Sequence, residues 1–182
     1  MPMIYEELDE TTRKFMLEEF QADEQAIPYR SKALTSLGLD VFPDLMRRAI
    51  EYGSEVSLMQ SLNNPEYWEP YETYVRGGVE RERKRNIGQA AERLALTEFN
   101  TWYVRGLARR LIEEGIEECQ IYRGAQPKWE HGECSQHEGM IVKVQVVYDG
   151  HRGRYWPEPG DPSIFSIPAG PGCHHVIKRV TN

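Results

Sequence analysis

The sequence predicts an α+β chain with a helical N-terminal half, one long helix over about residues 87–114, and a small β-rich C-terminal part. Three observations predict it. Apolar residues recur at spacings of three and four as far as Glu114, the period of an amphipathic helix. Beyond Gly115 the pattern turns to alternation and Val/Ile runs, the period of strands. All three cysteines and five histidines stand from Cys119 onward, so any metal chemistry belongs to the C-terminal part. The corresponding division is a helical arm with an aromatic loop over 1–86, followed by the long helix and a β-rich knuckle over 87–182.

The first helix is read from Phe15, Met16 and Phe20 on one face, with Asp9 or Thr11 as its cap and Pro28 ending any continuation. Residues 27–38 read as a connector. A second helix is expected to begin within 40–43, carry Leu45, Met46, Ala49 and Ile50 inward, and stop at Gly53. Ser54 caps a third, which runs to about Leu62. Residues 65–78 place Tyr67, Trp68, Tyr71 and Tyr74 among prolines, glutamates and glycines, and read as a loop tucked onto the body or against a partner. The run Arg81-Glu82-Arg83-Lys84-Arg85 reads as the solvated start of the long helix, or as a contact for an acidic partner or DNA. That helix carries Phe99, Trp102, Tyr103, Gly106, Leu107 and Leu111 on one stripe, with Arg105, Arg109 and Arg110 off it and Gly115 as its stop. Strands are expected over 118–123, 140–148 (closed by an Asp149-Gly150 turn), 164–167 and 176–180, with a loop holding Trp156, Pro157, Pro159 and Pro162 before the last two.

With 40% hydrophobic and 28% charged residues, the 182-residue chain has the composition of a globular protein with material for a core. It holds no apolar run long enough to span a bilayer, so no membrane partner is expected. A net charge of −7 argues against nucleic acid as the main partner, because duplex binding rests on neutralising phosphates.

Two short clusters stand out: Cys134-x-x-His137 in C-S-Q-H-E-G and Cys173-x-His175 in P-G-C-H-H. Two close pairs of soft or borderline ligands from separate loops can supply the four ligands of a structural Zn²⁺. His174 competes with His175 for the fourth place. In an extended segment Cys173 and His175 point the same way, which favours His175. Two other readings stand beside the metal: Cys119 and Cys173 as small buried apolar residues, and a Cys134–Cys173 disulfide. Three cysteines leave one odd thiol, and the opening residues carry no secretory leader pattern, so a secreted disulfide scaffold is not expected.

The stretch from Ala95 to Arg179 resembles the C-terminal region of the phage Mu F-like head-morphogenesis, or minor head protein, family. The residues that carry the resemblance are A-L-T-E at 95–98, G-I at 115–116, Trp129, C-S-Q-H-E-G and G-P-G-C-H-H. In that family a helix with an A-R-T-E motif leads into a strand, a C-x-x-C knuckle before a glycine, and a closing H-P-N-C-R-C. Cys134 and Cys173 match family cysteines, and His137 and His175 stand where the family has cysteine. Leu96 and Gly170 depart from it, replacing an arginine and a histidine; the acidic residue that precedes the first cysteine is shifted to Glu133, with His131 nearby. The opening Y-E-E-L-D-E-T-T-R-K-F-M-L-E-E-F and the helix E-F-N-T-W-Y-V-R-G-L-A-R-R are similar to uncharacterised proteins of tailed phages and prophages.

The resemblance implies a virion protein without enzymatic activity: a minor head or neck component contacting portal, capsid or neck proteins, repeated as a homo-oligomer in the particle, and present in host cytoplasm during assembly. It also implies a structural zinc ion on Cys134, His137, Cys173 and His175. Two other classes remain open at this point. A metal-dependent nuclease would use Glu138 as general base beside His137, with His174 on the phosphodiester. A zinc-stapled DNA-binding module would use Arg81, Arg83, Lys84 and Arg85. Against the enzyme, the sequence holds no H-E-x-x-H and no paired carboxylates at metal spacing.

Overall fold

The computed structural model describes residues 2–126, 134–155, 160–161 and 163–180. Trp129, His131, Glu133 and the loop of Trp156, Pro157, Pro159 and Pro162 lie outside the described residues. The order is α1 (Glu10–Gln25), α2 (Ser36–Tyr52), α3 (Glu55–Leu62), a 3₁₀ turn (Pro65–Tyr67), β1 (Tyr71–Arg76), β2 (Val79–Lys84), α4 (Ile87–Glu113), β3 (Glu118–Arg123), α5 (Cys134–His137), β4 (Ile141–Lys143), α6 (Val144–Tyr155) and β5 (His175–Arg179). The architecture is α+β, with a helical N-terminal half and α4 as its long helix. No helix among the described residues is long and apolar enough to cross a membrane.

The long helix α4 is the axis of the molecule. From Glu98 to Val104 its residues are buried without a break, so every face of that turn is covered. The single stripe expected from Phe99, Trp102 and Leu107 is therefore too narrow a description. Helices α1 and α3 pack on one side of α4, and α6 and β5 on another. The α1 contact is close: a Cβ on Gly106 would stand 2.6 Å from the Met16 backbone nitrogen, so only a glycine lets the two helices meet there. Beside it Phe20 meets Trp102 edge-on, with ring centroids 5.3 Å apart.

Local chemistry accounts for the helix boundaries. Asp9 caps α1 by accepting the Thr12 N–H, and Ser54 and Ser57 form a reciprocal box at the start of α3. Arg13 of α1 donates to the Ala49, Ile50 and Gly53 carbonyls, satisfying the C-terminus of α2 with a side chain from a neighbouring helix. Helix α2 starts at Ser36, four residues ahead of the earliest start expected, and holds Pro43 in its interior. Its cap explains this. Thr35 accepts the Gly38 N–H and donates to the Glu66 carbonyl, so a contact 31 residues away fixes the first turn.

Three further expectations are corrected. Residues 71–84 form an antiparallel hairpin, neither a loop nor a helix start. Gly77 and Gly78, both at positive φ, make the two-residue turn whose twist matches that of paired strands. Both faces of this ribbon are largely solvent-exposed, so no apolar alternation marks it in the sequence. Residues 144–148 belong to α6 rather than to a strand, and Asp149-Gly150 lies inside that helix. Val144 and Val147, three apart, are fully buried in the core, and helical packing overrides their β-propensity. Residues 164–167 pair with no strand; Ser166 and Ile167 are buried as a packed turn, with Ser166 donating to the Pro168 carbonyl.

The sheet runs β4-β3-β5, antiparallel throughout, with β3 in the centre. Cys119 and Ile121 of β3 and Ile177 of β5 are buried on one face of the sheet, and Val176 on the other, beside Gly124 and Met3. Burial pushes the Cys119 thiol up to about 12, which keeps it neutral and inert. Residues 2–9 lie across this sheet as a strap. The Ile4 N–H donates to the Gly124 carbonyl at 2.9 Å, the Tyr122 hydroxyl donates to the Ile4 carbonyl, and Glu6 and Glu7 pair with Lys178 and Arg179 of β5.

Candidate metal centre

Four sequence positions were expected to converge; the fold sets His175 beside Cys173 and beside His137. Helix α5 is one turn long and ends on His137. It is held to the sheet from just behind: Gly139 N–H donates to the Ile121 carbonyl at 2.9 Å, and Ile121 N–H to the Met140 carbonyl at 2.9 Å. That places His137 over β3, in reach of the start of β5. Cys134 occupies the first position of α5, and its side chain lies outside the described residues.

Cys173 and His175 lie side by side, as the alternation of an extended segment requires. The Cys173 Sγ stands 3.6 Å from His175 Nδ1 and accepts the His175 backbone N–H at 3.5 Å. A sulfur–nitrogen separation of this size matches the edge, about 3.5 Å, of a tetrahedron built on Zn–S and Zn–N bonds. His175, rather than His174, sits against the sulfur; His174 is half-buried, and its carbonyl accepts the Gly124 N–H. The His137 and His175 rings meet edge to face with centroids 6.0 Å apart, and Phe165 closes the far side of His137 at 5.9 Å.

Two atoms in this pocket are anomalous. His137 Nδ1 and His175 Nε2 are both buried without a hydrogen-bond partner. A buried polar atom left unsatisfied costs about 1–3 kcal/mol, and the orphaned His175 Nε2 is the ring nitrogen opposite the Nδ1 that faces the Cys173 sulfur. The pKa of His175 is lowered, chiefly by burial and then by His137 and Arg123, so the ring is held in the neutral form that a metal requires. Among the described residues no group of three or more His, Cys, Asp or Glu side chains stands in a metal-binding arrangement. His175 neighbours both Cys173 and His137 there.

Glu138 pairs with Arg123 at 3.1 Å. Arg123 lies on β3 beside the strand that carries His175, so this pair ties α5 to the sheet.

The residues that hold the second cluster in place were not read from the sequence. Asn100 of α4 donates through Nδ2 to the Cys173 carbonyl at 3.0 Å and to the His175 carbonyl at 3.1 Å. Thr97, one turn earlier, accepts the Gly172 N–H at 3.2 Å. A fully buried Asn in a helix interior was the available sign, since such a side chain is kept only where it has work to do for the backbone. Asn100→Ala would leave two buried carbonyls without donors and cost about 2–4 kcal/mol. Thermal unfolding should show that loss; an unchanged midpoint would remove Asn100 from the support of this segment.

Compared with protein-family models, curated proteins and solved structures, the chain matches none of them.

Proposed function

We propose that this chain is a structural protein of a tailed-phage particle, a minor head or neck component whose C-terminal part is stapled by one zinc ion on Cys134, His137, Cys173 and His175. The observation that supports this reading is a contact. Two of the stretches that carry the family resemblance, A-L-T-E at 95–98 and G-P-G-C-H-H at 170–175, are 75 residues apart where Thr97 meets Gly172. Short motifs that match by accident have no reason to touch. Here they form one unit, with Asn100 completing it one turn further along.

Zinc would supply cross-linking, not chemistry. Its ligands come from α5 and from the start of β5, so the ion would join the segment between β3 and β4 to the far edge strand. A sheet this small has little apolar surface of its own, and a metal adds stability that its core cannot. The enzyme reading needs Glu138 as an available base, and its carboxylate is already engaged by Arg123. Quantitative mass spectrometry of purified particles tests the virion reading: the protein should co-purify at a fixed ratio to the portal, and its absence from washed particles would sink the proposal.

A further inference from the structure

Among the described elements, the β1 and β2 strands pack chiefly on each other. Every residue of β2 is exposed, and Val75 of β1 is 71% exposed. A two-stranded ribbon without a packed face is at best marginally stable alone, so this one calls for further strands.

Its hydrogen-bond pattern says which edge can take them. In an antiparallel pair, bonded and non-bonded residue pairs alternate. The Arg85 N–H donates to the Pro70 carbonyl, which makes Glu72–Arg83, Tyr74–Arg81 and Arg76–Val79 the bonded pairs. The backbone groups of Tyr71, Thr73 and Val75 therefore point outward from β1, and those of Glu80, Glu82 and Lys84 outward from β2. The Tyr71 carbonyl is taken by Arg85, leaving Thr73 and Val75 as the open positions.

The two edges differ in what a second copy would meet. Pairing β2 with itself about a two-fold axis at Glu82 sets Glu82 against Glu82 and Arg81 against Arg83, which outweigh the opposite charges of Glu80 and Lys84 that also meet. Like charges directly opposite are destabilising, and an edge so charged is protected from pairing. Pairing β1 with itself about an axis at Tyr74 does the reverse. Thr73 falls opposite Val75 of the second copy at the bonded positions, so each such pair exchanges both backbone hydrogen bonds. Glu72 falls opposite Arg76, and Tyr74 opposite Tyr74, at the closer non-bonded positions. Glu72 already holds Arg83 at 2.7 Å, and Arg76 has no carboxylate among the described residues.

We infer that β1 is an isologous docking edge for a second copy of this chain, giving a continuous sheet in the order β2-β1-β1-β2. The self-complementary register of Glu72, Thr73, Tyr74, Val75 and Arg76 carries the inference, which goes beyond the zinc site and does not depend on it. The contact is small, so the dimer is weak in solution and strengthened where copies are held close.

Sedimentation velocity and amide exchange on the full-length protein, from about 10 µM to about 1 mM, test it. Dimers should appear with concentration, and the Thr73 and Val75 amides should become slow to exchange together with them. Thr73→Pro removes an outward N–H and leaves the hairpin's own ladder intact, and should weaken dimerisation about tenfold or more. Glu82→Pro makes the same change on the opposite edge and should leave it unaltered. A monomer at every concentration, or equal weakening by both prolines at unchanged thermal midpoints, would overturn the inference.

Discussion

Stripping zinc from the purified protein should melt the β3–β5 sheet ahead of the α1–α4 helices. One zinc per chain is expected by elemental analysis, and a chelator should lower the unfolding midpoint and open the amides of residues 119–122 and 176–178 to exchange. The loss should be several kcal/mol, below the roughly 10–16 kcal/mol of isolated zinc-finger peptides, which have no other core. Here Ile121, Val176 and Ile177 are already fully buried, so part of the sheet's stability is independent of the ion. His137→Ala and His175→Ala should each reproduce the loss, and His174→Ala should bind zinc normally. Stoichiometric protein that is free of zinc and indifferent to chelator would remove the metal from the account and leave the two orphaned ring nitrogens unexplained.

Glu19→Ala should be the most damaging single change among the helices, at about 3–5 kcal/mol. Glu19 is 4% exposed and joins three elements. Its carboxylate accepts from Arg105 Nε at 3.0 Å and from Arg109 at 3.3 Å, both on α4, and from the Tyr148 hydroxyl of α6 at 2.9 Å. Arg105 also lies over the Tyr148 ring, 5.0 Å from its centroid. Removing the carboxylate leaves a guanidinium whose side chain is 17% exposed with no anion to offset its desolvation. The cost lies in the orphaned charge, not in the attraction itself. Pairing Glu19→Met with Arg105→Met should therefore recover most of the stability, as measured by denaturant unfolding of all three variants. A Glu19→Ala loss below about 1 kcal/mol would mean that the arginines find water instead.

The helices were legible because their information is local. Asp9, Ser54 and the stripe through Phe99 and Leu107 sit within a turn or two of what they cap or cover. Strand β3 was legible for the same reason, as an alternating run with one buried face, and β5 as a short β-branched run that is buried on both faces at its start. What was missed depends on distant partners. Val144 and Val147 look like strand residues until α4 is present to receive them on a helical face. The hairpin escaped notice because neither face is buried, so its alternation is of charge and not of hydropathy. At the candidate site the sequence marked the donor residues through their chemical type and spacing. It was silent on Thr97 and Asn100, whose meaning is set by backbone groups more than 70 residues downstream.

The strap over residues 2–9 ties the order of synthesis to the order of folding. Glu6 and Glu7 find their cationic partners on β5, 172 residues later in the chain. On the ribosome, α1 to α4 can collapse as they emerge, because their contacts with one another are complete without the sheet. The strap finds part of its seat on the helices, where the Met3 N–H meets Glu55 and Tyr5 packs on Phe99 and Tyr103, but the cations that hold its Glu6 and Glu7 carboxylates come only with β5. A nascent chain halted before β5 would thus carry a folded helical body whose Glu6 and Glu7 still lack Lys178 and Arg179, and the late arrival of a single strand would supply both cations and bring in Cys173 and His175 in one event.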